Sequence, residues 1–588
     1  MEIQHNPFSV KTPENLSAEE LIELFVPYPE FELLQDSGHQ FLHGHRGSGK
    51  SMVLRMLEPD CQTRLRRLDL AQLPFFGVYL SIKATEINQP EFERLENEPS
   101  GFILSEHVLV TKVLSRVISS VARFANSAGV PAMDPQGRMT DFYEEFERRL
   151  VMCGWNKPTS VDTCSAFDRA LRIIDVIHSD TLRYVKRRAF SDGPLPYEGV
   201  LLGFQDVLLP LVDSLRKIGL LPDCPVFILL DDADNLTLQQ TQILNTWVSY
   251  RSTALVSLKI STQLSYKTYQ TSGGVNIESP HDFSEITFAN ARTGRGGYSK
   301  LVEDIVARRL LKYGLDTVDV RNFFPEDGKQ AAAIAAIELE MKERWVDRVG
   351  GGFRAADDAY RLARPEFMRR LGGKSKQSSS YKYAGFEQLV HISSGIIRFF
   401  LDPAARMFSE ELKKRGGALV DSISPDVQDD QIRRQSDSLL IDSFESLKRE
   451  SCVGGAASCD EVDRLRNLIV GLGYLFHSYL IDEFASQRRV FSFFLSDNPS
   501  PVVQRTLQLG VRLGYLYKEA IGRKEGRGRA VLYVLTRRLA PAFKLDPMGF
   551  SGYVSVTDQY LGAIILNPNR YAERKREGES AVQLHLEL

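Results

Sequence analysis

The stretch Gly44-His45-Arg46-Gly47-Ser48-Gly49-Lys50-Ser51 constrains this chain more than any other. It reads G-x-x-x-x-G-K-S, preceded by the apolar pair Phe41-Leu42 and followed by the helical pattern Met52-Val53-Leu54-Arg55-Met56-Leu57. Strand, glycine-rich loop and helix in that order form a phosphate-binding loop. The glycines let the backbone curl until successive N–H groups point inward at phosphate oxygens. The helix that follows adds its positive N-terminal end. The spacing predicts that Gly44, His45, Arg46, Gly47, Ser48, Gly49, Lys50, Ser51 and Met52 line a nucleotide. Lys50 would reach the β- and γ-phosphates, and Ser51 would place its hydroxyl on Mg²⁺.

A second motif agrees with the first. Pro225-Val226-Phe227-Ile228-Leu229-Leu230 runs straight into Asp231-Asp232-Ala233-Asp234. A continuous apolar run ending in acids is a buried parallel strand that delivers carboxylates to its C-terminal end, where ligands bind in open α/β sheets. Asp231 is then the group that holds Mg²⁺, through water. Asp232 stands where a base orients the attacking water. Further strands are expected at Phe76–Ile82, Ala254–Ile260 and Phe283–Phe288. The second of these ends in Ser261-Thr262-Gln263, and Thr262 is expected to read the γ-phosphate or the water.

Composition sets outer limits. The 588 residues are 43% hydrophobic and 25% charged, with a net charge of −3. These are globular proportions, and any nucleic-acid contact must come from a local patch rather than a global field. No run approaches the ~18 apolar residues of a membrane span, and the start Met1-Glu2-Ile3-Gln4-His5 is not a secretory leader, so a cytoplasmic protein is expected. Cys61, Cys153, Cys164, Cys224, Cys452 and Cys459 contain no C-x-x-C pair, which argues against a zinc site.

Between the second strand and the acidic one, residues 84–204 read as a helical insertion whose Lys186-Arg187-Arg188 is a solvated face. Ahead of the loop, Ser17 caps a helix over Ala18–Phe25, and Phe8 and Phe25 could contact a base. After Tyr298 the pattern is helical, and Ser393-Ser394-Gly395 followed by Arg398 at a helix start can aim a guanidinium at a nucleotide. Residues 413–460 read as a polar linker. From 461 to 560, helices precede two strand-like runs joined by Gly522-Arg523-Lys524-Glu525-Gly526-Arg527-Gly528-Arg529, the outline of a winged helix. Arg505, Gln508 and Arg512 share one face of its second helix by their spacing. That face could enter a major groove while Arg523, Lys524, Arg527 and Arg529 meet phosphates. The tail 561–588 is charged.

Together these motifs resemble the AAA+ ATPases of the origin-recognition and initiator (ORC) type from prokaryotes. Gly44–Ser51 corresponds to Walker A, Phe227–Asp234 to Walker B, and Ser261-Thr262 to sensor 1. Val302–Leu310 looks like the helix that opens the family's lid, and Ser394-Gly395-x-x-Arg398 like its sensor-2 turn. The resemblance implies an α/β P-loop core of the ASCE class at 1–297, a helical lid at 298–412 and a C-terminal winged-helix domain. It implies ATP and Mg²⁺ as ligands, ADP as product, double-stranded DNA as a partner and nucleotide-dependent homo-oligomers. Such a switch would serve DNA maintenance or defence against phage. Two departures stand out. Position 232 is Asp where the family has Glu, which implies slow turnover and is shared with the STAND and KAP groups of NTPases. In those, nucleotide gates the grip on a protein partner. Nor does the sequence single out an arginine finger among Arg292, Arg295, Arg308 and Arg309.

Overall fold

The computed structural model describes residues 6–568 except 84–98, 128–136, 157–164, 189, 192–194, 251–253, 265, 289–296, 316–318, 347–354, 373–379, 453–456, 483–484, 486, 523–528 and 549–551. The chain divides into two compact units, Lys11–Ala289, and Asn290–Leu588 with Met1–Val10.

The first unit is built on five strands: β1 (Gln40–His43), β2 (Phe76–Ser81), β3 (Val226–Asp231), β4 (Val256–Thr262) and β5 (Ser284–Thr287). They lie in the order β2-β3-β4-β1-β5, and every pair is parallel. Strands β1 to β4 are buried along their whole length, β2 included although it lies at one edge of the sheet, which is why they read as unbroken apolar runs rather than alternating ones. Edge strand β5 buries only Ile286. One sheet face packs on the insertion, whose helices Pro99–Ser127, Arg138–Met152 and Ala166–Arg188 share a core with Val78, Leu80, Ile228 and Leu230. The other face, through Tyr79, Phe227 and Leu229, packs on the loop helix Lys50–Met56 and the helix Ala18–Leu24. Ser17 and Glu20 close the expected capping box on the latter.

The second unit is helical, with a small sheet of β6 (Val490–Leu495), β7 (Leu516–Gly522), β8 (Arg529–Leu535) and β9 (Gly552–Val556) in the order β7-β8-β6-β9. Strands β7 and β8 form an antiparallel hairpin, β8 pairs antiparallel with β6, and β9 runs parallel to β6.

Several expectations need correction. Residues 413–460 are no linker: helices Ile397–Lys414, Pro425–Leu440 and Asp442–Cys452 cover most of them. Ser424-Pro425 starts a helix there, since Pro is tolerated in the first turn where its missing N–H costs nothing. The helix Ala355–Gly372, unanticipated because Pro365 lies within it, packs beside Gly328–Val346. The chain from 561 is not simply a charged tail, since the helix Asp558–Leu566 buries Leu561, Ile564 and Ile565. Gly471 admits this packing, because a Cβ there would lie 2.1 Å from Ile564 Cγ2. Finally, the first ten residues belong with the second unit. Phe8 is fully buried among Phe323, Phe324 and Phe408, and Phe25 packs on Phe31, so neither is placed to contact a base.

Candidate nucleotide site

Because the strands are parallel, the Gly44–Ser51 loop after β1 and the acidic tip after β3 emerge at one edge of the sheet, with the tip of β4 between them. The loop is bent by Gly47 and Gly49, which take left-handed φ angles of 89° and 103° that only glycine adopts without strain. Gly44 N–H donates to the Thr262 carbonyl (3.2 Å), fastening the loop to β4. The helix then begins at Lys50 with Gly49 as its cap, so its unpaired N–H groups open toward the loop.

Lys50 is buried, and its Nζ donates to the loop carbonyls of Gly44 (2.6 Å) and His45 (3.1 Å). Burial lowers its affinity for a proton, while Asp231, Asp232 and Asp234 act in the opposite direction. His45 is pushed down to about 4 by burial and by the Lys50 charge, so it is neutral at physiological pH. Ser48 Oγ is buried with no hydrogen-bond partner among the described residues. A loop with an orphaned buried hydroxyl and a cation satisfied only by carbonyls fits a phosphate chain.

At the tip of β3, Asp231 is fully buried. Its Oδ1 accepts from the Asp232 N–H (3.0 Å) and from the Ser261 hydroxyl, and its Oδ2 accepts from the Tyr79 hydroxyl (2.8 Å). Tyr79 lies on β2, in register with Leu229, and its long side chain reaches two residues along β3. Burial, and then the charges of Asp231 and Glu14, hold its phenol protonated well above the ordinary range. Asp232 sits in the left-handed region at φ 57°, a conformation Asp tolerates better than most residues and one that clusters at functional sites. Its carboxyl is pushed up to about 6, chiefly by burial and then by Asp231 and Asp234. Gln263 Nε2 donates to Asp234 Oδ2 (2.8 Å). The donor set of the Ser51 hydroxyl and the Asp231 carboxylate is made of hard oxygens and fits Mg²⁺ completed by phosphates and water. No larger metal-binding cluster occurs among the described residues.

The family model described as ORC-CDC6-like matches residues 6–348 and 346–556. The chain belongs to the ORC-CDC6-like family. It is therefore an ORC-type member of the AAA+ P-loop ATPases, and the parallel sheet with its phosphate loop is the α/β core of that class. No curated protein matches this ORC-CDC6-like chain. Among solved structures, that of Aeropyrum pernix Orc1 in complex with DNA is similar at 11% identity, over 90% of this chain and 94% of that one, with a TM-score of 0.28. A likeness of that degree carries no weight for fold or function.

Other anticipated residues fall as follows in this ORC-CDC6-like chain. The group that meets the acidic pair is Ser261, whereas the Thr262 hydroxyl donates to the neighbouring Gln263 carbonyl (3.2 Å). Period-2 alternation turns adjacent strand residues to opposite faces, so only one of the two could serve. Arg398 lies in the first turn of Ile397–Lys414 in the second unit, half-buried and near Asp402, after a turn in which Ser394 and Gly395 take φ angles of 54° and 79°. Arg309 is buried and donates to the Pro7 (2.8 Å) and Ser9 (3.3 Å) carbonyls, which removes it from the arginine-finger candidates. Arg308 is exposed, and Arg292 and Arg295 lie outside the described residues. Arg505, Gln508 and Arg512 are all exposed on the helix Pro501–Arg512, while Val503, Leu507 and Val511 are buried on its other side. Arg523, Lys524 and Arg527 lie outside the described residues, and Arg529 begins β8. Sequence reasoning missed Tyr79 and Glu14 altogether, since neither belongs to a motif.

Proposed function

We propose that this protein is a slow ATP-dependent switch whose nucleotide state governs DNA contact or self-assembly. The observation that carries the reading is the convergence of buried Lys50 and buried Asp231 at one edge of a parallel sheet in a member of an AAA+ ATPase family. Gly44 to Met52 would cradle the phosphates of ATP. Lys50 would neutralise charge on the β- and γ-phosphates, and Ser51 and Asp231 would hold Mg²⁺, which supplies further charge neutralisation when bound. Asp232 would orient the attacking water. Its carboxylate is one methylene shorter than the family's Glu, and its raised proton affinity leaves it a partly protonated base below about pH 6. The shorter reach supports slow turnover, while the raised proton affinity sets the pH below which the base is lost. Arg398 is the residue of the second unit proposed to answer to the γ-phosphate, and Thr262 keeps only a backbone role.

The sheet order β7-β8-β6, with a helix before β6 and another before the hairpin, supports reading the C-terminal region as a winged helix. The exposed Arg505, Gln508 and Arg512 would then face double-stranded DNA, with the basic residues of the β7–β8 connection on phosphates. Such a switch would act in DNA maintenance or in defence against phage. The first test is ATP hydrolysis by wild type and Lys50→Ala. Activity lost in the variant supports the reading, and absence of binding and hydrolysis in both ends it. The short Asp232 also favours a second reading, a STAND- or KAP-like protein that holds ATP and grips a protein partner. A salt-sensitive DNA shift lost on neutralising Arg523, Lys524, Arg527 and Arg529 supports the first, and salt-independent capture of a protein by the same region supports the second.

A further inference from the structure

The Walker B carboxylate is engaged by three donors supplied by the protein itself and has about four lone-pair sites to offer. Asp231 accepts from the Asp232 N–H and the Ser261 hydroxyl on one oxygen and from Tyr79 on the other. Each donor competes for a lone pair that a metal ion, or water bound to one, must use. The Asp232 N–H also reaches Ser261 Oγ (3.0 Å), but the Tyr79 hydroxyl has a second carboxylate within reach. Glu14 Oε1 lies 3.3 Å from the same oxygen, and Glu14 Oε2 is buried with no hydrogen-bond partner among the described residues. A phenol carries one proton and can give it to only one carboxylate at a time.

Glu14 is held in that place. Arg55, on the loop helix, donates to the Pro13 (2.8 Å) and Leu16 (3.5 Å) carbonyls on either side of it, and its guanidinium lies 5.5 Å from the centre of the Tyr79 ring. One side chain of the phosphate-loop helix therefore docks both the acceptor and the donor.

We propose that Tyr79 and Glu14 are positioning residues that gate Asp231: the Tyr79 hydroxyl turns from Asp231 to Glu14 when Asp231 takes up the metal ion. The proposal rests on the ATP–Mg²⁺ reading above. No bond beyond hydrogen bonds is made or broken, and the phenol keeps its proton throughout. Glu14 provides the destination that makes release of Asp231 cheap. Without it, the hydroxyl would be left unpaired in a buried place each time the metal binds.

The test is a double-mutant cycle on the full chain, read as Mn²⁺ affinity by electron paramagnetic resonance with a non-hydrolysable ATP analogue present. Glu14→Gln weakens the acceptor and should loosen Mn²⁺ about tenfold. Tyr79→Phe removes the competing donor and should bind Mn²⁺ at least as tightly as wild type. Adding Glu14→Gln to Tyr79→Phe should then change nothing. Analogue binding in EDTA should be equal in all four proteins, which reports that the loop is intact. If Glu14→Gln fails that control, Glu14→Asp, whose shorter carboxylate draws back from the hydroxyl, takes its place in the cycle. Loosened Mn²⁺ in Tyr79→Phe, an effect of the Glu14 change that persists without the hydroxyl, or no effect of it at all overturns the gate. A wild-type chain that binds no analogue overturns the nucleotide reading instead.

Discussion

The phosphate-loop edge of the first unit and the exposed face of the helix Pro501–Arg512 both carry charged groups, but they hold them in opposite ways. At the loop edge, Lys50, Asp231 and Ser261 are buried, and each is bonded to another part of the same site. On the helix, Arg505, Gln508 and Arg512 stand in solvent, and the Arg505 Nε donates to the Pro501 carbonyl one turn back (3.3 Å). In the first region low dielectric makes every charge count and leaves few arrangements open. In the second, contributions are small, roughly additive and screened by salt. Chemistry belongs to the first kind of surface and adjustable attachment to the second. The two should therefore respond to substitution on different scales.

The largest effect falls on Lys50. Lys50→Ala should lower ATP turnover by about a hundredfold or more, measured as phosphate release under saturating nucleotide. A loss of only a few-fold would erase the contrast with the exposed helix. Asp232→Glu comes next and has the opposite sign. Restoring the missing methylene should raise turnover about tenfold, because placement of the attacking water is steeply distance-dependent. Ser261→Ala should cost about fivefold to tenfold by removing the hydroxyl that ties the Asp232 N–H to Asp231 and so fixes the acidic tip, while Thr262→Val should cost less. A reversal of that order would return the sensor role to Thr262.

A pH profile separates the two regions again. The Asp232 carboxyl is pushed up to about 6 in the folded chain, against about 3.9 in an unfolded one. A raised carboxyl binds its proton more tightly when folded, so its stabilising contribution is complete below the unfolded value. That contribution is lost as pH rises from about 4 through about 6. Nucleotide-free wild type should show this slope in denaturant melts, and Asp232→Asn should lack it. Turnover has the opposite dependence, since only the ionised form accepts a proton from water. It should rise with pH through a midpoint at or below about 6, lower where Mg²⁺ sits beside Asp232. DNA attachment through arginines should be flat over the same range.

Much of the first region was legible in the sequence because its constraints are local. A glycine loop fixes its own backbone, and buried parallel strands betray themselves as apolar runs, so Phe41-Leu42 and Val226–Leu230 could be read directly. What could not be read is set by register. Tyr79 bonds Asp231 because β2 and β3 align Ser81 with Asp231, and no pattern within either strand states that offset. Alternation says that Ser261 and Thr262 face opposite ways but not which one faces the acid. In the second unit the misreadings came from polar helices. Pro425–Leu440 buries Val427 and Ile432 along with Gln428, Gln431 and Ser436, so its buried stripe is more polar than apolar and escapes a search for apolar periodicity. Strand β9 pairs with β6 across some sixty residues of chain, a non-local partnership invisible in either segment.

The smallest predicted effects test whether the exposed helix is an attachment surface at all. If Arg505 and Arg512 each neutralise a phosphate, replacing either with Ala should weaken double-stranded DNA binding only a few-fold near physiological salt. The more telling quantity is the slope of log affinity against log salt. It should fall by about 1 for each arginine removed and by about 2 for both. Gln508→Ala carries no charge and should leave the slope unchanged, altering affinity only where it reads a base edge. Because the three side chains are exposed, none of these changes should move the denaturation midpoint. An unchanged salt slope in the double variant would mean that the face meets no phosphate. The charge pattern at 505 and 512 would then be an ordinary solvated surface, and attachment would fall to the basic residues between β7 and β8 or to a protein partner.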